Sequence, residues 1–455
     1  MSEELFRPIF VPDKFREAVS GRTWLGAMLE AEGALAVALA RAGVIPPEAA
    51  DAIASCCKKG RDTSLFDPEA LGRKGRAQGN PVPPLVRVLT EVVSEVSDEA
   101  ARHVHKGATS QDIVDTAAML LTKRALDLIL TETDAIAAAL AGLAEAYRDT
   151  PISGRTLLQQ ALPTTFGLKA AGWLVSVLEA RRRLLEVRAK GLAVQLGGAA
   201  GTLASLGDSG TEVLEEFARE LDLEEPAVPW HTDRSRIAQI GGALSLLSGV
   251  LGKISLDIIL MAQSEVGEVS EPAGAGRGGS STLPHKRNPI LAVRAAACSR
   301  WVQDLARTLE SAMVGEHERA VGAWHSEWEP LSDALALTGG AAAAIREATE
   351  GLEVHTENMR ENLETTGGLL LAERVTTIVA EHFGRLKAHD LVEAASKRTL
   401  ESEKSLSEEL VAEPVLKEVV SAEDIDAALD PGGYLGSAGA FVDRALEVYR
   451  KEMQA

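Results

Sequence analysis

Eight apolar residues near the middle of the chain are spaced alternately three and four residues apart, and this spacing restricts the fold more than any other feature. They are Ile237, Ile240, Leu244, Leu247, Leu251, Ile254, Ile258 and Met261. The spacing places them on one side of a single helix, which at about 1.5 Å per residue is longer than roughly 30 Å. Small residues on the same segment would let a neighbouring helix approach closely: Gly241, Gly242, Gly249 and Gly252. A helix this long buries little inside a small domain, so it indicates a bundle of long helices, often formed across subunits.

Three further segments carry helical apolar spacing, at residues 116–147, at residues 166–192 and after Pro289. The sequence contains no convincing runs of alternating apolar and polar residues, which would indicate strands. It therefore predicts an all-α fold with a central bundle of long helices. Breaks in the pattern predict an N-terminal helical domain (1–112), a central long-helix bundle domain (113–364) and a C-terminal helical domain (365–455).

Composition and charge exclude several classes of function. The 67 acidic residues against 47 basic ones give a net charge of −20, which argues against a nucleic-acid partner. The cysteines, Cys56, Cys57 and Cys298, show no metal-ligand spacing and predict a reduced, cytoplasmic chain. Residues 1–4 lack the basic and apolar regions of a signal peptide, and no apolar run is expected to reach membrane-spanning length. The chain is therefore expected to have no membrane partner.

The densest group of polar and reactive side chains lies in a short loop at residues 279–289. Behind a glycine-rich lead-in, this loop carries Ser280, Ser281, His285, Lys286, Arg287 and Asn288. Asn288 followed by Pro289 predicts a helix N-cap with proline at the first helical position. Such a loop suits capture of an anion and transfer of a proton, and the alternative is a solvated surface loop. A dinucleotide-binding interpretation of the lead-in glycines is rejected, because a helical pattern precedes them instead of a strand.

Two other segments combine polar side chains with a predicted helix start. Thr109, Ser110 and Asp112 precede the helical pattern at 116–147, where they could cap the helix or bind a substrate carboxylate. Arg155 precedes the helical pattern at 166–192, and an isolated arginine at such a place usually forms a surface ion pair. For the segment before 116–147, the residues alone leave both alternatives open.

These three segments resemble the signature segments of the fumarase/aspartase superfamily. The chain carries Gly-Ser-Ser-x-x-Pro-x-Lys-x-Asn-Pro from Gly279, His-x-Gly-x-Thr-Ser-x-Asp from His105 and Gly-Arg-Thr-x-x-Gln-x-Ala-x-Pro from Gly154. In this superfamily a group is added or removed beside a carboxylate by way of a dianionic intermediate. The resemblance implies a small polycarboxylate substrate, no metal or organic cofactor, and a homotetramer whose active sites are shared between subunits.

Segments outside the signatures narrow the resemblance to one branch. Leu157 stands where several relatives carry a proton-transferring histidine, which argues against fumarase, argininosuccinate lyase and adenylosuccinate lyase. Three runs resemble bacterial 3-carboxy-cis,cis-muconate cycloisomerases: Gly79–Val86, Trp230–Arg234 and Trp324–Trp328. Those enzymes close a carboxylate onto a conjugated diene to form a lactone in protocatechuate degradation. The alternatives are a lyase acting on another substituted succinate, including adenylosuccinate lyase, and a helical bundle without activity.

The resemblance also implies roles for individual residues. The implied catalytic residues are Ser280, Lys286, His317 and His325, with Ser280 in proton transfer and the two histidines as competitors for that role. The implied substrate contacts are His105, Thr109, Ser110, Arg155, Thr156, Gln159, Ser281, Arg287, Asn288, Arg319 and Trp324. Trp324 and Trp328 are four residues apart, so they are expected to share a helix face and to form a flat apolar wall beside the substrate.

Overall fold

A computed structural model of the protein describes residues 5–60, 64–274, 278–279, 283, 286–402 and 404–454. Helices dominate these residues, and the strands form two short antiparallel pairs, so the all-α prediction is confirmed. The helices are α1 (Arg7–Phe10), α2 (Asp13–Ala18), α3 (Gly21–Arg41), α4 (Pro47–Gly60), α5 (Pro68–Gly75), α6 (Val82–Ser94), α7 (Asp98–Ala101), α8 (Ser110–Ala146), α9 (Phe166–Glu186), α10 (Gly210–Leu221), α11 (Ser235–Met261), α12 (Ile290–Ser311), α13 (Trp328–Glu350), α14 (Thr356–Glu364), α15 (Ala372–Phe383), α16 (Arg385–Glu401), α17 (Leu406–Ala412), α18 (Pro414–Lys417), α19 (Ala422–Ala428) and α20 (Ala438–Gln454). The strands are β1 (Pro151–Thr156), β2 (Gln159–Thr165), β3 (Val269–Ser270) and β4 (Glu353–Val354).

The long helices predicted from apolar spacing are present as α8, α9, α11 and α12. All eight residues of the three-and-four pattern lie on α11 and are buried. The close approach predicted at its glycines is present at Gly252, where a β-carbon would collide with Oγ of Ser299 on α12. The apolar pattern and the small residues together therefore determine how α11 packs.

Two stretches contradict the expectation that no apolar run reaches membrane-spanning length. Asp13–Arg41 and Ser235–Met261 are long and apolar enough to cross a membrane by length and composition alone. The most apolar window is 67% buried inside the protein in the first stretch and 44% buried in the second, whose heptad face is the buried side. Core helices of folded chains pass the same test of length and composition.

The chain groups into two compact units, each assembled from three stretches of sequence. Unit 1 comprises Met1–Thr133, Glu179–Lys253 and Arg294–Ala344, and unit 2 comprises Asp134–Leu178, Ile254–Val293 and Ile345–Ala455. The unit boundaries lie within the long helices α8, α9, α11, α12 and α13 instead of at residues 112 and 364. The division into domains 1–112, 113–364 and 365–455 stays a prediction.

The core of unit 1 includes the contacts that α3 makes with α4 and α10. Alanine and leucine side chains of α3 supply much of this core, among them Ala27, Leu29 and Leu35. The helix begins at the Ser20 hydroxyl, which accepts a hydrogen bond from the Thr23 amide at 3.2 Å. Among the buried residues of α3, Glu32 is the acidic one.

Unit 2 contains a hairpin that the sequence did not predict. Strands β1 and β2 are joined through Leu157 and Leu158, whose φ angles of 52° and 64° lie in the left-handed region. A two-residue turn of this kind matches the twist of a hairpin, although glycine and asparagine usually occupy it. The turn exposes Leu157 by 97% and Leu158 by 74%. Thr156 and Gln159 pair across the hairpin on either side of it.

Candidate active site

The predicted site residues separate into one group in each unit. Unit 1 contains His105, Thr109, Ser110, His317, Arg319, Trp324 and His325. Unit 2 contains Arg155, Thr156, Gln159, Lys286, Arg287 and Asn288. Ser280 and Ser281 lie outside the described residues, and their roles stay predictions. In both units, carboxylates of the chain itself organise the predicted residues.

In unit 1 the buried carboxylate of Asp112 organises the segment that begins α8. Its oxygens accept hydrogen bonds from the amides of Thr109 (2.9 Å), Gly197 (3.0 Å) and Gly198 (3.0 Å). Its Oδ1 also lies 2.6 Å from Nε2 of His231. Asp112 thereby fixes Thr109, the residue before α8, at the positive end of the helix dipole, where an anion is favoured.

Arg319 has no carboxylate partner among the described residues. Its Nη1 donates to Oε1 of Gln111 at 2.9 Å, and its Nη2 donates to the carbonyls of Gly198 (3.3 Å) and Ala199 (3.0 Å). Gln111 is itself held by Asp115, because Nε2 of Gln111 donates to Oδ2 of Asp115 at 3.1 Å. Neutral acceptors orient this guanidinium without cancelling its charge, which suits the predicted contact with a substrate carboxylate.

A fully buried ion triad connects α8 to the segments that precede α11 and α13. Arg234 donates to both oxygens of Asp115, at 2.8 and 3.0 Å, and to both oxygens of Glu327, at 2.9 and 2.6 Å. Burial lowers the pKa of Arg234, but the two carboxylates outweigh burial and raise it. Burial raises the pKa of Glu327, and Arg234 opposes that shift only in part. Arg234 is therefore a structural cation, not one open to substrate.

Trp324 lies in the core of unit 1, with 3% of its surface exposed. Its indole Nε1 donates to Oδ1 of Asp115 at 3.0 Å. Its ring meets that of Trp328 edge to face at a centroid distance of 4.9 Å. The two rings therefore pack together, but they do not form the expected flat wall, and Trp324 lies on a short 3-10 helix that precedes α13. His325 is exposed and packs against both rings at 5.0 Å. Of these residues, His325 is accessible to solvent and Trp324 is not. A contact between Trp324 and the substrate stays a prediction.

Two histidines of this group have left-handed backbone conformations. His317 has a φ of 48° and His105 a φ of 59°. The His317 carbonyl accepts from the Thr232 hydroxyl at 2.9 Å, and the imidazole is exposed. Nδ1 of His105 lies 2.7 Å from Oε1 of Glu32. Side chains other than glycine rarely adopt such φ values, and these values occur often at functional sites.

In unit 2, two of the predicted substrate arginines pair with carboxylates of the chain. Arg155 donates to both oxygens of buried Glu268, at 2.9 and 2.7 Å. Arg287 donates to both oxygens of Glu353, at 3.0 Å each, and this hydrogen bonding lowers the pKa of Glu353. The guanidinium of Arg155 thus binds a carboxylate through two parallel hydrogen bonds, but this carboxylate belongs to Glu268 and not to a substrate. Substrate contacts by these two arginines stay predictions, and in this structure both forks are filled.

The predicted N-cap at Asn288 is wrong. Nδ2 of Asn288 donates to the carbonyl of Gly278 at 3.0 Å. The carboxylate of Glu271 caps α12 instead, accepting from the amides of Leu291 (2.9 Å) and Ala292 (2.7 Å). A carboxylate suits this place because the helix dipole favours negative charge there. The start of α12 therefore already holds an anion of the chain.

The remaining predicted residues of unit 2 are open. Thr156, Gln159 and Lys286 are exposed, and no described residue forms a hydrogen bond or ion pair with their side chains. Lys286 in this way resembles Arg319 in unit 1, since its charge is not neutralised by any described carboxylate. Among the predicted site residues that the structure describes, Arg319 and Lys286 are thus the Lys and Arg side chains whose charge no described carboxylate neutralises.

Within the described part of the chain, one group of side chains has the geometry to hold a metal ion. The ligand atoms of His389, Asp390 and Glu393 lie within 4.8 Å of one another on the exposed surface of α16. Exposed acidic groups commonly have this arrangement without an ion, so it carries no argument for a metal.

The carboxylates that hold the predicted residues or their neighbours in place were not predicted from the sequence: Glu32, Asp115, Glu268, Glu271, Glu327 and Glu353. For Glu32 a signal was present, because a carboxylate within the alanine- and leucine-rich run of α3 needs a buried partner. The acidic residues at 268 and 271 lie in an irregular stretch with no pattern that would mark them.

Two family descriptions match the chain. The lyase family matches residues 11–301, and the adenylosuccinate lyase C-terminus matches residues 368–445. A 3-carboxy-cis,cis-muconate cycloisomerase of Bradyrhizobium diazoefficiens is 45% identical over 448 residues, which cover 98% of each chain. A nitrosuccinate lyase of Streptomyces davaonensis is also 45% identical, over 450 residues that cover 97% of this chain and 94% of the relative.

The fold is likewise similar to that of a solved structure. The crystal structure of 3-carboxy-cis,cis-muconate lactonizing enzyme from Pseudomonas putida superposes with a TM-score of 0.94 and 41% identity, covering 99% of both chains. The chain therefore belongs to the lyase family and has the all-helical fold of the fumarase/aspartase superfamily.

Proposed function

We propose that the protein is a 3-carboxy-cis,cis-muconate cycloisomerase. The observation that carries this proposal is the full-length likeness to cycloisomerases, in sequence and in fold. The hairpin adds support, because Leu157 at its turn has no proton to give, and a cycloisomerase need not have a histidine there. The reaction converts 3-carboxy-cis,cis-muconate to 4-carboxymuconolactone, and its place is protocatechuate degradation.

The proposed reaction is an isomerisation in which no atom is lost. One substrate carboxylate forms a carbon–oxygen bond to the diene, and the displaced electron pair moves to the carbon beside a second carboxylate. That carboxylate becomes a dianion, and the carbon next to it then takes a proton. We assign this proton transfer to Ser280. Fixed donors aimed at the dianion should supply most of the rate enhancement.

The charges of the described residues fit a trianionic substrate. Arg319 and Lys286 have no described carboxylate partner, and the start of α8 offers the positive end of a long helix. Thr109 and Ser110 stand at that helix start with side chains that are neither buried nor fully exposed. We assign Thr109 and Ser110 to a substrate carboxylate. We assign Arg319 of unit 1 and Lys286 of unit 2 to the remaining negative charge, and the two cations need not come from the same copy of the chain.

The alternative is a lyase acting on nitrosuccinate. It is favoured by the nitrosuccinate lyase of Streptomyces davaonensis, which is as similar to this chain as the cycloisomerase of Bradyrhizobium diazoefficiens. Such a lyase would remove the proton beside one carboxylate and expel the nitro group as nitrite. The same loop and the same cations would serve, because both reactions pass through a carboxylate dianion.

The proposal is tested by giving the purified protein 3-carboxy-cis,cis-muconate without added metal. The ultraviolet absorbance of the conjugated diene should disappear, and the lactone should form in equal amount. If the absorbance does not change and the protein instead releases nitrite from nitrosuccinate, the protein is a nitrosuccinate lyase and the proposed cycloisomerase function is wrong.

We further propose that the protein is a cytoplasmic homotetramer with active sites shared between subunits. The described cysteines are free and buried, as in chains kept reduced. Large apolar side chains remain exposed on the long helices, among them Leu246 and Leu256 of α11 and Val293 and Trp301 of α12. A second copy of the chain would cover such a surface.

Charges placed on α11 should disrupt this assembly. We expect the double variant Leu246→Glu, Leu256→Glu to sediment as a smaller species than the wild type, because each carboxylate would be buried unpaired at an interface. Leu386→Glu, on the exposed surface of α16, is the matched control and should sediment like the wild type. Sedimentation of the wild type as a 48.1 kDa monomer would contradict the proposed tetramer.

A further inference from the structure

A buried carboxylate touches the ring of His105 in unit 1. Glu32 lies on α3 among apolar residues, and its side chain is 0% exposed. Its Oε1 is 2.7 Å from Nδ1 of His105. Its Oε2 is buried and has no hydrogen-bond partner among the described residues. Burying a carboxylate in this way is costly unless a cation pairs with it, and His105 is the group in contact.

The ring of His105 is held at one nitrogen and free at the other. Its side chain is 19% exposed, and no described residue forms a hydrogen bond with Nε2. The backbone at His105 has a φ of 59°, and Gly107 close behind it has a φ of 82°. This turn lies just before α8, and the ring is close enough to Asp112 in the first turn of α8 to feel its charge. A histidine oriented by a buried carboxylate, with its second nitrogen open, is the arrangement by which proteins fix a charged or proton-carrying imidazole.

The surrounding charges favour the imidazolium. Burial lowers the pKa of His105, but the charge and hydrogen bond of Glu32 and the charge of Asp112 on α8 outweigh it and raise the pKa. The neighbouring Lys106 directs its ammonium to the Val44 carbonyl, at 3.5 Å. A raised pKa means that the pair stabilises the fold at pH values below the pKa of the unfolded histidine. This contribution is lost as the pH rises through the folded value.

We propose that Glu32 is a positioning residue, which holds His105 by Nδ1 so that Nε2–H offers a fixed cationic donor to a carboxylate of the substrate. The inference rests on the proposed function, because it needs a polycarboxylate substrate at the start of α8. It adds a residue of α3 to the site, although no signature segment includes that helix.

The first test is Glu32→Gln, which keeps the shape of the side chain and removes its charge. We expect KM to rise about tenfold, the size of a lost charge-assisted contact, with kcat changed less than about threefold. The matched control is Glu30→Gln, whose carboxylate pairs with Arg124 at 2.6 Å on the same helix, and its KM should not change. In a His105→Ala background, Glu32→Gln should raise KM no further. An unchanged KM in Glu32→Gln, or equal effects in both backgrounds, would overturn the inference.

A second measurement needs neither substrate nor a folded variant. Nitrogen-15 spectra of wild-type protein labelled at histidine should show His105 mostly protonated at pH 6.5, where an unperturbed histidine is about half protonated. If Glu32→Gln folds, its His105 midpoint should move to lower pH. A neutral His105 at pH 6.5 would overturn the inference. If His105 is charged but the wild type converts neither 3-carboxy-cis,cis-muconate nor nitrosuccinate, the proposed function is wrong while the pairing of Glu32 with His105 stands.

Discussion

Replacing Ser280 by alanine should lower turnover by about 10³-fold or more while the assembly stays intact. A positioned group that moves a proton accounts for about 10² to 10⁴ in rate, and alanine cannot replace it. The hydroxyl must be activated by positive charge nearby, for which Lys286 is the candidate. The measurement is kcat of the purified variant, beside its sedimentation coefficient.

The control for this prediction is Ser94→Ala at the exposed end of α6. The Ser94 hydroxyl donates to the Glu91 carbonyl at 2.8 Å and has no proposed part in the reaction. It should keep wild-type turnover. Near-normal turnover of Ser280→Ala would assign proton transfer to another group, and His317 and His325 would be the next to replace.

Replacing Arg234 by leucine should lower the free energy of unfolding by about 3–5 kcal/mol. The change leaves Asp115 and Glu327 buried without their shared cation, and breaking a buried ion pair from one side costs that much. Both carboxylates are almost fully buried, at 2% and 3% side-chain exposure, so solvent cannot replace the arginine. The midpoint of urea unfolding measures the loss.

The matched control is Arg219→Leu on α10. Arg219 pairs with Glu215 at 2.7 Å and also with Glu216, and its own side chain is 57% exposed. Glu216 keeps Arg41 as a partner at 3.3 Å, and exposed pairs of this kind contribute about 0–1 kcal/mol. Its unfolding midpoint should stay near that of the wild type. Equal losses in the two variants would mean that the triad does not hold the segments before α11 and α13 in place.

The helical framework could be predicted because its signals are local. The heptad pattern of α11 and the apolar spacing of α8, α9 and α12 follow from helix periodicity, which tertiary contacts reinforce. The hairpin at β1 and β2 could not be predicted in this way. Its turn places Leu157 and Leu158 at positive φ, against their local preference, and contacts distant in sequence must stabilise it.

The site could be predicted only in part, because motif spacing identifies side chains but not their partners. Arg155 and Arg287 lie on the predicted segments, yet Glu268 and Glu353 fill their forks. The cap of α12 comes from Glu271, nineteen residues before the first helical residue, and no local rule connects the two. Carboxylates that are distant in sequence therefore decide which predicted cations are already paired within the chain. The spacing of residues along the sequence does not reveal these partners.

One comparison of rates decides whether the loop at residues 279–289, with Arg319 and Lys286, serves lactone formation. The wild-type kcat/KM should be measured for 3-carboxy-cis,cis-muconate and for nitrosuccinate under the same conditions, with Ser280→Ala as the blank. We predict a value for the muconate at least about tenfold higher, which corresponds to about 1.4 kcal/mol of transition-state stabilisation, with the lactone as product. A higher kcat/KM for nitrosuccinate, with nitrite released, would mean that the protein is a nitrosuccinate lyase and not a cycloisomerase.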